Sequence, residues 1–551
     1  MLEFMNLISE IFCENGNSAD EYQTQEAYDK YLQNISYSVN DAEFTVSPVF
    51  TVIIDSKGRA CASCVDSLKK QRYSAWEAVI IGTDYIYSDP RIHTFNNSDL
   101  SQLCDVISGD FLCFANSEDV LDENALMLTA RAICESPDAD AFYTDEDEIK
   151  DGVRTAPVFK PVYSPDTLLS YNYIGKLFFA SKELFTGCGG IKDLSAAGMY
   201  DYTLRACDSA AHVVHISAVL ISSGKKGDAV KRDFAIRSLN TVLTEKGLNG
   251  YAVGGLWDGS FHTHYVMPKK YRCEIILYGA NSADKLREWL ELAEDVTCTE
   301  TYGITVASHG TEDTMLIRYE NALMNNSAAK VMRFPSSVGF SSMCNECVSL
   351  TNADVYIFIS CDVFPLIPDW IDAMTEFAQR RDVGTVSPLI LTPDNRITEA
   401  GNVIGLQGWW GTPYYLENRK FTDARMNRFI NTVRNISLGG MNCIMTSGAV
   451  FTELRGFDES FTGRAAIAEY CIRASRKYRK NIYTPFSCLQ GTPQQFTVPE
   501  QQDMQRTYDV LRPYLTQGDP YFSNAYNPAI FTPTVAENPY HGAKLNPMQY
   551  R

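Results

Sequence analysis

At 551 residues the chain exceeds a single ordinary hydrophobic core, which stops growing at about 250–300 residues, so two large domains are expected. Hydrophobic residues supply 45% of the sequence and aromatics 12%, which excludes a disordered chain. A formal net charge of -20 with no strongly basic stretch excludes a broad nucleic-acid or anionic-membrane footprint, because like charges repel.

Residues 1–16 carry Glu3 and Glu10 among their apolar positions and lack the basic start and long apolar core of a secretory leader. No stretch approaches the ~18 apolar residues of a membrane span. The expected location is therefore cytoplasmic, or peripheral at the inner face of the membrane, where the 16 cysteines stay reduced.

After a polar helical lead-in to about residue 40, residues 48–55 read PVFTVIID, a β-branched run expected as a buried strand. A helix over 61–71 and strands over 76–81 and 110–115 follow, the alternation of a parallel α/β sheet. The order recurs downstream: strand 273–278, helix 283–293, strand 302–307 and strand 355–359 form a domain-scale duplication. The expected organisation is a helical lead-in at 1–45, a first domain at 46–225, a connector at 226–270, a second domain at 271–495 and a C-terminal helix and tail at 496–551. The connector is expected to open with a helix over 228–246 and to continue as Gly-rich polar sequence. The aperiodic stretch from 528 onward is expected to wrap the surface or to be partly mobile.

Two CxxC pairs, Cys61 with Cys64 and Cys344 with Cys347, have metal-ligand spacing. Each lies in an apolar-periodic helical segment, so they read as small buried apolar residues. His262 and His264 form a lone His-x-His in the connector and read as a surface pair.

Residues 142–175 read FYTDEDEIKDGVRTAPVFKPVYSPDTLLSYNYIG, and here the chain resembles bacterial tandem glycosyltransferases of family 2 that build cell-surface polysaccharides. The acidic DED, the Phe-Lys-Pro, the Ser-Pro-Asp and the Asn-Tyr-Ile all match that pattern. Further matches are Pro368-Asp369-Trp370, residues 382–405, GFDESF at 456–461 and Asp519-Pro520-Tyr521. The resemblance implies two tandem GT-A α/β domains with mainly parallel twisted sheets and a nucleotide-diphosphate sugar donor at the carboxyl ends of the strands. It also implies a glycan or lipid-linked acceptor and, in an active enzyme, Mn or Mg held by carboxylates.

Carried over position by position, the resemblance places nucleotide contacts at Asp55 and Asp84. It places a metal cluster at Asn116, Glu118 and Asp119 in the first domain and, in the second, at Asp362 alone. The catalytic-base positions fall on Met199 and Ile467, neither of which can accept a proton, with Asp201 as a substitute two residues on. Asp145, Glu146 and Asp147 are expected in a turn, either as an acceptor-side or alternative metal site or as solvated capping acids. Trp409 and Trp410 read either as a sugar platform or as gap-filling aromatics. Two functions compete: a glycosyltransferase, or an inactive relative that binds a sugar, a nucleotide or an active partner glycosyltransferase.

Overall fold

The computed structural model describes residues 20–35, 45–96, 99–224, 231–299, 301–326, 329–420, 423–493 and 496–536. In the first half the strands are β1 (Phe50–Asp55), β2 (Trp76–Ile81), β3 (Ile92–Phe95), β4 (Phe111–Asn116), β5 (Val120–Leu121), β6 (Ala141–Lys150), β7 (Val153–Val158), β8 (Phe178–Ser181) and β9 (Val213–Ser223). They form one nine-stranded sheet in the order β3-β2-β1-β4-β8-β6-β9-β5, with β7 folded back on β6. The central strand β1 runs parallel to β2 and β4, with Phe50 level with Trp76 and Phe111. Burial on both faces is why FTVIID holds consecutive apolar residues, Val52 to Ile54, instead of an alternation.

Between the halves, the helix Arg232–Glu245 leads into β10 (Gly250–Gly254) and β11 (Phe261–Tyr265). The Gly-rich polar stretch of the connector forms an antiparallel hairpin. His262, expected at the surface, is 4% exposed, because β11 packs on the second half and its side chains are covered there.

The second half contains β12 (Cys273–Tyr278), β13 (Tyr302–His309), β14 (Lys330–Phe334), β15 (Val355–Ser360), β16 (Val363–Pro365), β17 (Val383–Leu391), β18 (Ile397–Glu399), β19 (Val403–Ile404), β20 (Trp410–Gly411), β21 (Arg434–Ile436), β22 (Cys443–Ser447) and β23 (Lys480–Gly491). Its large sheet runs β14-β13-β12-β15-β22-β17-β23-β16, with β18 on β17 and β21 on β23. Every position matches the first sheet in chain order and direction, including the antiparallel β22 in the place of β8. The duplication read from the sequence is therefore present along the eight-strand path of each sheet, with β21 an addition of the second half.

The halves are joined by a polar lock. Asp166, in the short helix Pro165–Leu168, lies 2.5 Å from Arg380 and accepts a hydrogen bond from Asn435 Nδ2 at 2.9 Å, while its backbone N–H donates to Asn435 Oδ1 at 3.0 Å. Asn435 sits on β21, so the Ser-Pro-Asp string of the first half holds a strand of the second. Asp519 adds a local brace, accepting from Ile404 N and Ser437 Oγ, both at 2.8 Å.

The tail crosses the second half as expected: Gln407 N donates to Pro528 O and Tyr414 N to Phe531 O. Residues 537–551 lie outside the described residues. Among the described residues, no helix is long and apolar enough to cross a membrane.

Candidate functional site

In a parallel sheet the helix-bearing loops diverge where strand order reverses, leaving a crevice at the carboxyl ends. Both halves have one. The first encloses about 610 Å³ and is lined by Gly82, Thr83, Asp84, Asn96, Lys192 and Asp193 among others. The second encloses about 420 Å³ and includes Gly279, Asn281, His309, Asp362 and Arg464. Asp84 thus faces the first cleft, where its carboxylate accepts from Asn96 Nδ2 at 3.1 Å. Asp55 closes β1 level with Ile81 and Asn116, and its carboxylate accepts from Lys57 N at 3.1 Å.

The metal-type motif follows β4. Ser117 N donates to Asp55 O and, in the other half, Cys361 N donates to Tyr278 O, which aligns Glu118 with Asp362. Each of these carboxylates is engaged by a basic side chain from the segment after its own first strand: Glu118 by Arg59 at 3.0 Å, and Asp362 by Lys285. Asp119 is buried, with Oδ2 accepting from Asn116 N at 2.8 Å and Oδ1 2.5 Å from Lys176 Nζ. A divalent ion needs several oxygens turned to one point and free of competing cations. As arranged, Asn116, Glu118 and Asp119 do not fit one, and neither does Asp362.

The positions that the resemblance assigns to a base hold apolar residues in both halves. Met199 is half-buried in the first turns of the helix Ala196–Ser209, and Ile467 is fully buried in the helix Ala465–Arg476. Asp201 does not substitute for them. Its Oδ2 accepts from Arg205 Nε at 3.0 Å and Nη2 at 2.8 Å, and the same guanidinium donates to the carbonyls of Cys188 and Gly190. The second half repeats the device: Glu469 binds Arg473, which donates to the carbonyls of Leu454 and Gly456.

Asp145, Glu146 and Asp147 lie within β6, where a turn was expected. Alternation along the strand turns Asp145 and Asp147 to one side, and each is 1% exposed. Asp145 accepts from Lys160 N at 2.8 Å and meets His215 Nε2 at 2.8 Å. Asp147 accepts from Tyr28 Oη at 2.5 Å and Arg154 Nε at 2.6 Å, tying the helix Asp20–Asn34 to the sheet. Glu146 meets Lys160 Nζ at 3.0 Å and accepts from Lys176 N at 2.7 Å. Burial raises its pKa, but these two lysines outweigh burial and hold the carboxyl below its ordinary value. Asp145 and Asp147 thus brace the sheet from within, Glu146 stays partly exposed, and the expected turn is instead a strand paired with β7 and β9.

Trp410 is fully buried and donates from Nε1 to Phe496 O at 2.8 Å, so it fills a gap in the core, while Trp409 beside it is half-buried. The four CxxC cysteines are buried as expected, and burial holds the Cys64 and Cys344 thiols well above their ordinary pKa.

Sequence reasoning missed the basic partners Arg59, Lys176 and Lys285, which no local motif marks. It also missed Glu399. This glutamate accepts from Met441 N at 2.6 Å and Asn442 N at 3.1 Å, and Arg464 of the second cleft donates to Asn442 Oδ1 at 2.7 Å. Burial outweighs those hydrogen bonds and pushes the Glu399 pKa up to about 6.

The strand order, the antiparallel strand beside the cleft and the repeated connectivity define two tandem α/β units of the same topology, the organisation that the resemblance implies. No family model matches the chain. It is 25% identical over 462 residues to the uncharacterized protein y4gI of Sinorhizobium fredii, covering 77% of this chain and 50% of that one. It is also 25% identical over 434 residues to the O-antigen biosynthesis protein RfbC of Myxococcus xanthus, covering 75% of this chain and 34% of that one. The chain thus spans half or less of these curated relatives. Among solved structures, GalNAc-T7 with UDP, GalNAc and Mn2+ overlaps 46% of this chain and 52% of its own at 12% identity and a TM-score of 0.37. The mannosyltransferase PcManGT of Pyrobaculum calidifontis, solved with GDP-Man and Mn2+, overlaps 45% of this chain and 63% of its own at 11% identity and a TM-score of 0.30. Scores this low carry no weight by themselves; the strand order defines the fold.

Proposed function

We propose that this protein serves glycosyl transfer in the assembly of a cell-surface polysaccharide by binding a nucleotide-diphosphate sugar at the carboxyl end of its first sheet. The positive charge opposite the diphosphate comes from the chain's own Arg59 and Lys176. The observation that carries this reading is the matched pairing of Glu118 with Arg59 and of Asp362 with Lys285, which sets a fixed cation beside each metal-type carboxylate. Such a side chain supplies charge without a bound ion, as lysine does in other phosphate sites. The relative named for O-antigen biosynthesis supports the pathway class, and the glycan or lipid-linked acceptor follows from the same resemblance.

A second reading, a binder without turnover, is favoured by one observation. Displacement at the anomeric carbon requires a base to take the acceptor hydroxyl proton, and the positions expected to provide it hold Met199 and Ile467. The test is calorimetric titration of the full chain with uridine-, guanosine- and thymidine-diphosphate sugars, in chelator and in Mn2+, followed by assay for sugar release. Binding in chelator supports the donor site, and release of the nucleoside diphosphate then decides between transfer and binding alone. A folded protein that binds none of these sugars, with or without Mn2+, overturns both readings.

A further inference from the structure

The hairpin between the halves carries a feature that the donor clefts do not use. His262 and His264 are two apart on β11, so both rings leave the same face of the strand. That face meets the helix Trp370–Ala378 of the second half, where Glu376 projects between them. His262 Nε2 lies 3.0 Å from Glu376 Oε1, and His264 Nδ1 lies 3.1 Å from Glu376 Oε2. One donor atom from each of the three residues falls within 4.8 Å of the others. The Glu376 residue is 8% exposed and the His262 ring stacks on Phe486. The Nε2 of His264 is buried with no partner.

We propose that His262, His264 and Glu376 bind a zinc-class divalent ion that staples the hairpin to the second half. Two imidazoles and one carboxylate are the donor set that a borderline-soft ion takes in three-ligand sites, with a fourth position left for water. The ordinary alternative, two imidazole N–H groups donating to one carboxylate, places the same atoms together without an ion, so measurement must separate them. A buried, rigid site of this kind acts on stability, because an ion that binds only the folded chain raises its unfolding temperature.

The test uses the full chain stripped with chelator and titrated with Co2+, then with Zn2+ as competitor. The expected result is the visible absorption of low-coordinate Co2+ at one equivalent, displaced by Zn2+, and a higher thermal midpoint with Zn2+. His264→Ala is the first variant, since its ring is the most exposed of the three, and Glu376→Gln the second. Each is expected to keep the metal-free midpoint within a few degrees and to weaken Co2+ by more than the ~10–100-fold that loss of an outer-shell partner costs. Two results overturn the site: no Co2+ spectrum with folded wild-type protein, or a spectrum with thiolate charge-transfer bands that both variants retain, which would assign the ion to cysteine.

Discussion

Asp201 and Glu469 hold the same post in the two halves, each gripping the arginine four residues further along its helix, which in turn ties down the loop before it. The register of both helices is fixed by this repetition, and it leaves the residue two positions earlier, Met199 or Ile467, facing the role the resemblance gives to a base.

Removing the arginine leaves a largely buried carboxylate and two carbonyls without their donor. Arg205→Ala is expected to lower stability by about 3 kcal/mol in urea unfolding. Asp201→Asn, which keeps a hydrogen-bond acceptor, should cost less. It should also leave donor binding unchanged if Asp201 is only a brace.

Lys176 and Arg59 are the charges assigned to the diphosphate. The double variant Lys176→Ala, Arg59→Ala is expected to weaken nucleotide-diphosphate sugar binding at least ~10-fold in chelator, equivalent to about 1.4 kcal/mol. Because Glu118 and Asp119 are then released, added Mn2+ should restore part of the affinity. Calorimetry in the two buffers reads both effects.

Met199→Asp puts a carboxylate at the position expected to supply the base. If the protein binds donor without turnover only for want of that group, the variant should release nucleoside diphosphate above the wild-type rate in the presence of acceptor. An added general base contributes typically ~10²–10⁴-fold. An unchanged rate would locate the defect elsewhere.

Asp166 is depressed below the ordinary carboxylate range: burial opposes this, but Arg380 and then Lys480 outweigh it. A depressed acid contributes stability above its unfolded pKa and loses it as pH falls. Asp166→Asn is expected to cost about 2–3 kcal/mol near neutral pH, less than a fully stranded buried charge, because Asp382 still pairs with Arg380 at 2.8 Å. Unfolding curves at pH 7 and pH 3.5 should show the gap to wild type narrowing in acid.

Glu399 has the opposite sign. Its folded pKa of about 6 lies above the unfolded value, so its contribution is complete below about pH 4.5 and is lost as pH rises through 6. The raised value corresponds to about 2 kcal/mol. Glu399→Gln should flatten the wild-type fall in stability across that window by this amount, whatever its constant cost from turning an amide toward Met441 N and Asn442 N.

Read alone, the sequence determined the elements and their repetition. Runs such as FTVIID and CEIILY are dominated by consecutive apolar residues rather than an alternation because parallel strands are covered on both faces, and that pattern is local and visible. It also showed that the positions the resemblance assigns to a base hold the apolar Met199 and Ile467. The acids were another matter. Asp145, Asp147 and Asp166 belong to the string that most resembles the family, and composition gives a buried brace and a catalytic acid the same letters. Only the tertiary structure supplied their partners, Lys160 and His215, Tyr28 and Arg154, and Arg380, between 7 and 214 residues away. The same holds for Glu376, brought 114 residues along the chain to His262. Charge pairing acts through space, so the fold decided which carboxylates remain open to a ligand and which are consumed in holding the protein together.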